Sequence, residues 1–252
     1  MDSSVIELPL SGGVHRAFMM PFKDLSLEKV PLANPDEVAT FVTEKRRREH
    51  LSGRYLLGLA LSEWGCGDLS YLEVQRDEFR APRLAYIQGV WQRRALPSIS
   101  IGHAGGHAFV ALAPAEVGIG IDGELLEREL AVNAFDLMAK GEELHELLSQ
   151  PQHAMRMWVK KEAVQKAMGL GMHLNPRDIQ LSIESNNQII SIENLKIQLD
   201  YYEYNGYRIA LATTPQEVRP MSAEDTLLEE TRSAMDANPD WGVGCKTNRK
   251  GL

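Results

Sequence analysis

Residues 117–122 read Val117-Gly118-Ile119-Gly120-Ile121-Asp122, a run in which branched apolar side chains alternate with glycine and end on an acid. Alternation with a period of two predicts a β-strand. Glu124 follows Asp122 after one small residue, so both carboxylates point to the same side if the extended backbone continues. Hard oxygen ligands in this spacing suit Mg²⁺. The alternative is a solvated strand end, since Glu127 and Glu129 follow closely.

The second half of the sequence repeats the order of helices and strands found in the first. Further strands are predicted at 98–101, 108–113, 179–183, 188–192, 197–204 and 207–212. Helices are predicted at 38–61 (interrupted near Ser52-Gly53), 130–139, 141–149 and 152–168. Helices followed by antiparallel strands therefore occur twice, which predicts an α+β fold class with two similar halves. We place the halves at 1–115 and 116–215, followed by a polar tail at 216–252 that is loosely attached or disordered.

The composition excludes several function classes. A net charge of −8 argues against nucleic acid as the main partner. No apolar run is long enough to cross a bilayer, and the N-terminus lacks the features of a signal peptide. The two cysteines, Cys66 and Cys245, are far apart and lack metal-type spacing. We therefore expect a cytoplasmic protein with no membrane and no nucleic-acid partner.

A second acidic position lies in the segment Trp158-Val159-Lys160-Lys161-Glu162-Ala163-Val164-Gln165-Lys166. On a helix, Trp158, Glu162 and Lys166 are spaced four apart and share a face. Directed at the end of the 117–122 strand, Glu162 would complete a magnesium site of three carboxylates, with Lys166 close to a phosphate. The alternative is an exposed Glu–Lys helix pair that contributes a few tenths of a kcal/mol.

Two further features could bind phosphate. His103 lies between glycines just after a strand, where the backbone can approach a ligand closely and a histidine can donate to phosphate. His107 is the rival candidate, but it opens the next strand and is expected to turn outward. The basic run 45–48, with Arg54 beyond it, concentrates positive charge that could bind phosphate. The alternative is a solvated helix face.

Together these motifs resemble the 4′-phosphopantetheinyl transferase superfamily. The resemblance is carried by Gly-Ile-Asp-Gly-Glu at 120–124 and by the helix motif at 158–166. The chain length and the Asp-x-Glu pair are similar to the surfactin-synthetase-activating type, which is a monomeric pseudodimer of two α+β halves. The expected fold is therefore a pseudodimer in which helices pack on small, mainly antiparallel sheets.

The resemblance implies a set of site residues. Asp122, Glu124 and Glu162 would hold Mg²⁺ (or Mn²⁺) against the pyrophosphate of coenzyme A, with Glu162, Lys166 and His103 as catalytic groups. The coenzyme-binding residues would be Arg48, Arg54, Arg80, His103 and Lys166, with Arg54 on the 3′-phosphate. Two departures stand out: Gly102-His103-Ala104 lacks the serines that flank this histidine in the family, and Ala81 replaces a lysine, with Arg80 or Arg83 as substitutes.

The function implied is Mg²⁺-dependent transfer of 4′-phosphopantetheine from coenzyme A to a serine of an apo acyl or peptidyl carrier protein, with release of 3′,5′-ADP. Two alternatives are a non-catalytic protein of the same fold that binds carrier proteins or coenzyme A, and a Mg²⁺-dependent phosphodiesterase. The carrier protein and the pathway it serves are not indicated by any motif.

Overall fold

The computed structural model describes residues 2–9, 15–87, 89 and 95–216. Within this part of the chain the strands are β1 (Ile6–Glu7), β2 (Arg16–Pro21), β3 (Leu72–Arg76), β4 (Pro82–Tyr86), β5 (Ser98–Ala104), β6 (His107–Ala113), β7 (Val117–Leu125), β8 (Asn187–Ile192), β9 (Leu195–Tyr204) and β10 (Tyr207–Pro215). The α-helices are α1 (Pro35–Ala39), α2 (Glu44–Trp64), α3 (Phe135–Met138), α4 (Gly141–Ser149) and α5 (Ala154–Ala167). Apart from Gln216, the predicted tail lies outside the described residues, as does Cys245, whereas Cys66 is buried.

Two antiparallel sheets organise the molecule. The first has the strand order β1-β2-β6-β5, the second has the order β7-β10-β9-β8, and β3 and β4 form a separate hairpin. Each four-stranded sheet has one long helix against it, α2 on the first sheet and α5 on the second. The α+β class predicted from the sequence is therefore confirmed.

Alternation along the strands divides the core into layers. In β6, Val110 faces α2, whereas Phe109 faces the second sheet. In β10, Leu211 faces the first sheet, whereas Ala212 faces α5. The order is thus helix, sheet, sheet, helix, and the edge strands β5 and β7 lie side by side at one end of this stack. The division of the chain at residues 115 and 116 and the relation of the halves as a pseudodimer stay predictions.

Helix α2 is continuous where an interruption was predicted. It begins after Thr43, whose Oγ1 accepts a hydrogen bond from the Arg46 backbone N–H, and ends at Gly65 with a φ of 88°. Ser52 and Gly53 lie inside it: the Ser52 hydroxyl bonds the Lys23 backbone, and a Cβ on Gly53 would lie 3.1 Å from Ile101 Cγ2. The predicted interruption was therefore wrong, because these small residues mark close packing.

Two other predicted elements were also wrong. Residues 179–183 form no strand, although Ile179 and Ile183 are buried. Side chains replace the missing ladder, since Glu143 Oε1 accepts from Leu181 N and Gln188 Oε1 accepts from Ser182 N. The helix predicted at 130–139 shortens to α3 and a preceding turn of 3₁₀ helix at Val132–Ala134.

None of the helices within residues 2–9, 15–87, 89 and 95–216 has both the length and the apolar character that a bilayer crossing requires.

Candidate active site

The end of β7 places two acids on one face of the sheet. The strand continues to Leu125, so Asp122 and Glu124 point to the same side, as predicted. Asp122 pairs with Ala210 of β10 and is only 6% exposed, whereas Glu124 is half-buried. Gly123 points to the opposite side, where a Cβ would lie 3.0 Å from the Phe109 ring. It therefore makes room for the first sheet, and not for a ligand beside the acids.

Helix α5 reaches β7 because glycine clears the space between them. A Cβ on Gly120 would lie 1.9 Å from the Ala163 carbonyl oxygen and 2.4 Å from the Ala167 nitrogen. This close approach brings the Glu162–Lys166 face of α5 to the Asp122 face of β7. The glycine of the Gly-Ile-Asp run therefore positions the acids as well as the strand.

Lys166 connects the acids. Its Nζ donates to Asp122 Oδ1 at 2.6 Å and to the Ile121 carbonyl oxygen at 3.2 Å, and lies 3.9 Å from Glu162 Oε2. Burial lowers the pKa of Lys166, but the surrounding negative charge, above all that of Asp122, outweighs burial and raises the pKa. Lys166 is therefore charged and held by the carboxylates.

Glu162 lies in a field that disfavours its ionised form. Burial and then the charge of Asp122 raise its pKa, with a smaller contribution from Glu124, whereas Lys166 and a hydrogen bond from Trp158 oppose the rise. A cation placed among these acids would relieve this unfavourable field, and carboxylate oxygens are the ligands Mg²⁺ prefers. The donor set therefore fits a divalent cation.

The acids are paired with protein cations in this arrangement. Asp122 is bonded to Lys166, and Glu124 forms an ion pair with Arg128 four residues on. Within the described residues no three acidic, histidine or cysteine side chains form a ready cluster for a metal. Metal binding would require Glu124 and Lys166 to exchange these partners.

His103 is the penultimate residue of β5, where it pairs with Ala108 of β6, and does not lie in a loop after the strand. A Cβ on the preceding Gly102 would lie 3.2 Å from the Ile121 carbonyl oxygen and 3.4 Å from Lys166 Nζ, so this part of β5 adjoins the acids. The exposed His103 ring has its Nε2 2.9 Å from Arg46 Nη1. Partial desolvation, assisted by Arg46 and opposed by Glu49, lowers the pKa of His103. A neutral ring that accepts from Arg46 follows from this geometry.

His107 does not turn outward as predicted. Its Nδ1 lies 2.7 Å from the Tyr207 hydroxyl, and the two rings pack with centroids 5.0 Å apart. The same hydroxyl donates to the Gly105 carbonyl oxygen, so Tyr207 ties the β5–β6 hairpin to the second sheet. His107 therefore belongs to the contact between the sheets.

The basic run on α2 divides between different neighbours. Arg46 contacts His103, although the sequence indicated only the run as a whole and singled out Arg48. Arg48 is bonded to Asp24 and to the Phe22 carbonyl oxygen. No local pattern singled out Arg46, because its partner His103 lies 57 residues further along the chain.

Arg54 and Arg80 lie near a second cluster. Arg54 is 4% exposed and its Nη2 lies 3.8 Å from Glu37 Oε2, with Arg76 on the same carboxylate. Arg80, at the β3–β4 turn, has a φ of 67°, a left-handed conformation that costs a non-glycine residue. The structure therefore places Arg54 and Arg80 at the Glu37 end of the molecule, and Glu37 and Arg76 were missed from the sequence because their partners are distant in the chain.

A comparison with known protein families gives a match over the segment that contains the three acids. Residues 118–212 match the model of the 4′-phosphopantetheinyl transferase superfamily. Over these residues the chain is similar to that superfamily. The match includes Asp122, Glu124, Glu162 and Lys166, and it supports phosphopantetheine transfer as the general reaction. A search of curated proteins found no match.

Proposed function

We propose that the protein transfers the 4′-phosphopantetheine group of coenzyme A to a serine hydroxyl of an apo acyl or peptidyl carrier protein, with release of 3′,5′-ADP. The observation that supports this most strongly is the bridge made by Lys166 between Asp122 and Glu162, beside Gly102 and His103. This bridge brings cation and carboxylates together on the segment that matches the superfamily.

Asp122, Glu124 and Glu162 would hold Mg²⁺, with Mn²⁺ as a substitute. Bound there, the metal would neutralise charge on the coenzyme pyrophosphate and on the leaving phosphate. Asp122 is buried and Glu124 and Glu162 are half-buried, and charge compensation is strongest in such low-dielectric surroundings. The Lys166 ammonium group would then be released from Asp122 to face the same phosphates.

The chain's own residues would carry the proton and orient the substrates. The carrier serine attacks the β-phosphorus of coenzyme A, the bond from phosphorus to the bridging oxygen breaks, and 3′,5′-ADP leaves with that oxygen. A Glu162 carboxylate oxygen, directly or through a water, accepts the serine proton. His103, held by Arg46, and Lys166 donate to the phosphate oxygens. Positioning and charge compensation account for most catalysis of this kind.

The acids are also balanced without a metal, which favours a second candidate, a non-catalytic protein that binds carrier proteins or coenzyme A. Three clustered carboxylates alone would argue for a metal because they repel one another. Here, however, Lys166 and Arg128 each offset one of them. The two functions are therefore distinguished by measuring whether phosphopantetheine is transferred to a carrier protein.

The deciding experiment is a mass measurement on several apo carrier proteins incubated with the protein, coenzyme A and Mg²⁺. We expect a phosphopantetheine mass gain that EDTA abolishes and added Mg²⁺ restores. Glu162→Gln should keep the fold and nearly abolish the gain, whereas Glu142→Gln, on the exposed face of α4, should match the wild type. Carrier binding with no mass gain on any carrier would favour the second candidate.

We further propose that the chain functions as a monomer in which two α+β halves form a pseudodimer of the surfactin-synthetase-activating type. The supporting observation is that two four-stranded antiparallel sheets each pack one long helix and lie face to face. Sedimentation equilibrium of the active protein tests the monomer, since a stable dimer would contradict it.

A further inference from the structure

The turn between β5 and β6 is hydrogen-bonded to the second sheet beside the candidate active site. The Tyr207 hydroxyl donates to the Gly105 carbonyl oxygen at 2.7 Å and lies 2.7 Å from His107 Nδ1. A hydroxyl has one proton, so with Gly105 as its acceptor the other contact is a donation from His107 Nδ1 to the hydroxyl oxygen. Tyr207 is 4% exposed, and its ring packs edge-on against Phe109 with centroids 5.4 Å apart. A buried tyrosine therefore holds the turn by both hydrogen bonds and packing.

The surface beneath this turn is itself fixed. Leu125, the last residue of β7, packs so closely on Gly105 that a Cβ there would overlap the leucine side chain. Arg208 of β10 holds the segment after β7, because its Nη1 donates to the carbonyl oxygens of Leu125 at 2.9 Å and Arg128 at 3.0 Å. The β5–β6 turn therefore rests on a hydrogen-bonded segment that begins one residue beyond Glu124.

His103 lies between two attachments of the first sheet to the second. On one side of it, Ser100 Oγ accepts a hydrogen bond from the Ile121 N–H of β7 at 3.0 Å. On the other side is Gly105, which is held by Tyr207. Because His103 follows the backbone between these attachments, Tyr207 helps to set where the imidazole ring lies relative to the acids at the end of β7.

We propose that Tyr207 is a positioning residue, which holds His103 at the distance from Asp122 and Glu124 that lets both sides reach the phosphates of one coenzyme A molecule. The proposal rests on the proposed function and adds to it a residue that contacts neither the metal nor the coenzyme. Groups on two different sheets act on one substrate only if the sheets are held accurately together. Tyr207 acts through His103, so its contribution to coenzyme binding disappears when the His103 ring is removed.

The test is calorimetric binding of coenzyme A to the full chain with Mg²⁺ and no carrier protein, which requires no transfer reaction. Tyr207→Phe keeps the ring and removes the hydroxyl. It should weaken coenzyme A binding about 2- to 10-fold, the range for one lost hydrogen bond. His103→Ala should also weaken binding, and adding Tyr207→Phe to it should cause no further loss. A tyrosine that only stabilised the fold would cause the same loss in both backgrounds, because independent effects add.

Tyr204→Phe is the matched control, since Tyr204 is the cross-strand partner of Tyr207 on β9 and is 36% exposed. It should leave the coenzyme A affinity unchanged. His107→Ala covers the case in which Tyr207→Phe does not fold, because it keeps the tyrosine and removes the N–H group that orients the hydroxyl. It should weaken coenzyme A binding in the wild-type background and not in the His103→Ala background.

Equal coenzyme A affinities in wild-type protein, Tyr207→Phe and His107→Ala would overturn the proposal. Unchanged affinity in His103→Ala would do so too, as would a loss in Tyr207→Phe that is equally large without the His103 ring. The proposed function fails separately. Protein in which Tyr207→Phe weakens coenzyme binding only when His103 is present, and which modifies no carrier, would contradict the transfer reaction alone. Protein that modifies carriers and loses the same affinity in both backgrounds would contradict this inference alone.

Discussion

Lys166 Nζ on α5 lies 2.6 Å from Asp122 Oδ1 at the end of β7, and this ion pair joins the two elements that carry the candidate active site. The same oxygen belongs to the carboxylate that a divalent cation would need. Lysine and metal therefore compete for Asp122, although both would serve the phosphates of the coenzyme. A residue can thus weaken metal binding and still assist the reaction.

Replacing Lys166 by Met should separate these two effects. Mg²⁺ or Mn²⁺ should bind more tightly, because Asp122 loses its competing ammonium group. Transfer should fall by about 10²- to 10³-fold, the usual loss when one group that stabilises developing charge is removed. Titration calorimetry of the metal and initial rates of carrier modification would measure the two changes.

The control is Lys140→Met, which removes an exposed ammonium group 2.5 Å from Asp178. It should alter neither metal affinity nor transfer rate. Weaker metal binding in Lys166→Met would show that the lysine supports the metal site and does not compete with the metal for Asp122.

Gly120 gives a prediction about the fold of the site. Gly120→Ala would place a Cβ 1.9 Å from the Ala163 carbonyl oxygen, and both atoms belong to regular elements that cannot yield cheaply. Overpacking usually costs about 1–3 kcal/mol, and a contact this short should reach or exceed that range. Urea unfolding monitored by circular dichroism would measure the loss.

Gly67→Ala is the matched control, because a Cβ there meets nothing within 4 Å and its φ is not positive. Its free energy of unfolding should stay the same or rise slightly, since alanine reduces the freedom of the unfolded chain. Equal stabilities of the two variants would contradict the close approach of α5 to β7.

The sequence predicted the elements around the site better than the connections behind it. Alternation predicted β7, and the spacing of Asp122 and Glu124 predicted that they share a face. Alternation at 179–183 failed because it reports burial and not a hydrogen-bonded ladder. There the backbone N–H groups donate to side chains, such as those of Glu143 and Gln188, and not to a neighbouring strand.

Contacts between side chains could be predicted only where both residues lie on one helix, which sets their spacing. Glu162 and Lys166 lie four apart, so their shared face followed from the sequence. The contact of Arg46 with His103 and that of Arg76 with Glu37 join distant segments. Hairpin and sheet packing decide such contacts, and no local pattern encodes them. The family resemblance was equally silent on Arg76 and Glu37.

The helix motif also contains a buried ion pair that gives a stability prediction. Lys161 Nζ donates to Glu143 Oε2 at 2.6 Å and to the carbonyl oxygens of Met138 and Pro176. Lys161 and Glu143 are 1% and 4% exposed. Lys161→Met should therefore cost about 3–5 kcal/mol, the range for a buried pair that loses one partner. The free energy of unfolding in urea is the measurement.

Lys140→Met again serves as the comparison, because its pair with Asp178 is exposed and should contribute less than about 1 kcal/mol. The double variant Lys161→Met with Glu143→Leu should recover part of the loss, since no charge stays buried alone. A loss in Lys161→Met no larger than that in Lys140→Met would show that the pair contributes little.

His50 gives a prediction about pH. Its side chain is 7% exposed, beside the Phe41 ring, and burial and the nearby Arg54 lower its pKa from 6.5 to about 4. Between these values the unfolded chain binds more protons than the folded chain, so the free energy of unfolding should rise as pH increases from 4 to 6.5. The contribution is complete above pH 6.5 and amounts to roughly 3 kcal/mol.

The charged groups around the His50 ring act in both directions: Arg54, Arg76 and Arg46 lower its pKa, and Glu37 raises it. Because other carboxylates also titrate in this range, the informative quantity is the difference between wild-type protein and His50→Gln, a variant that keeps polarity and removes titration. Urea unfolding at pH 4.5, 5.5, 6.5 and 7.5, chosen as steps of about one unit across the shift, should show that difference shrinking as the pH falls. A constant difference across these pH values would mean that His50 protonates equally in the folded and unfolded chains, which the burial of its ring beside Phe41 contradicts.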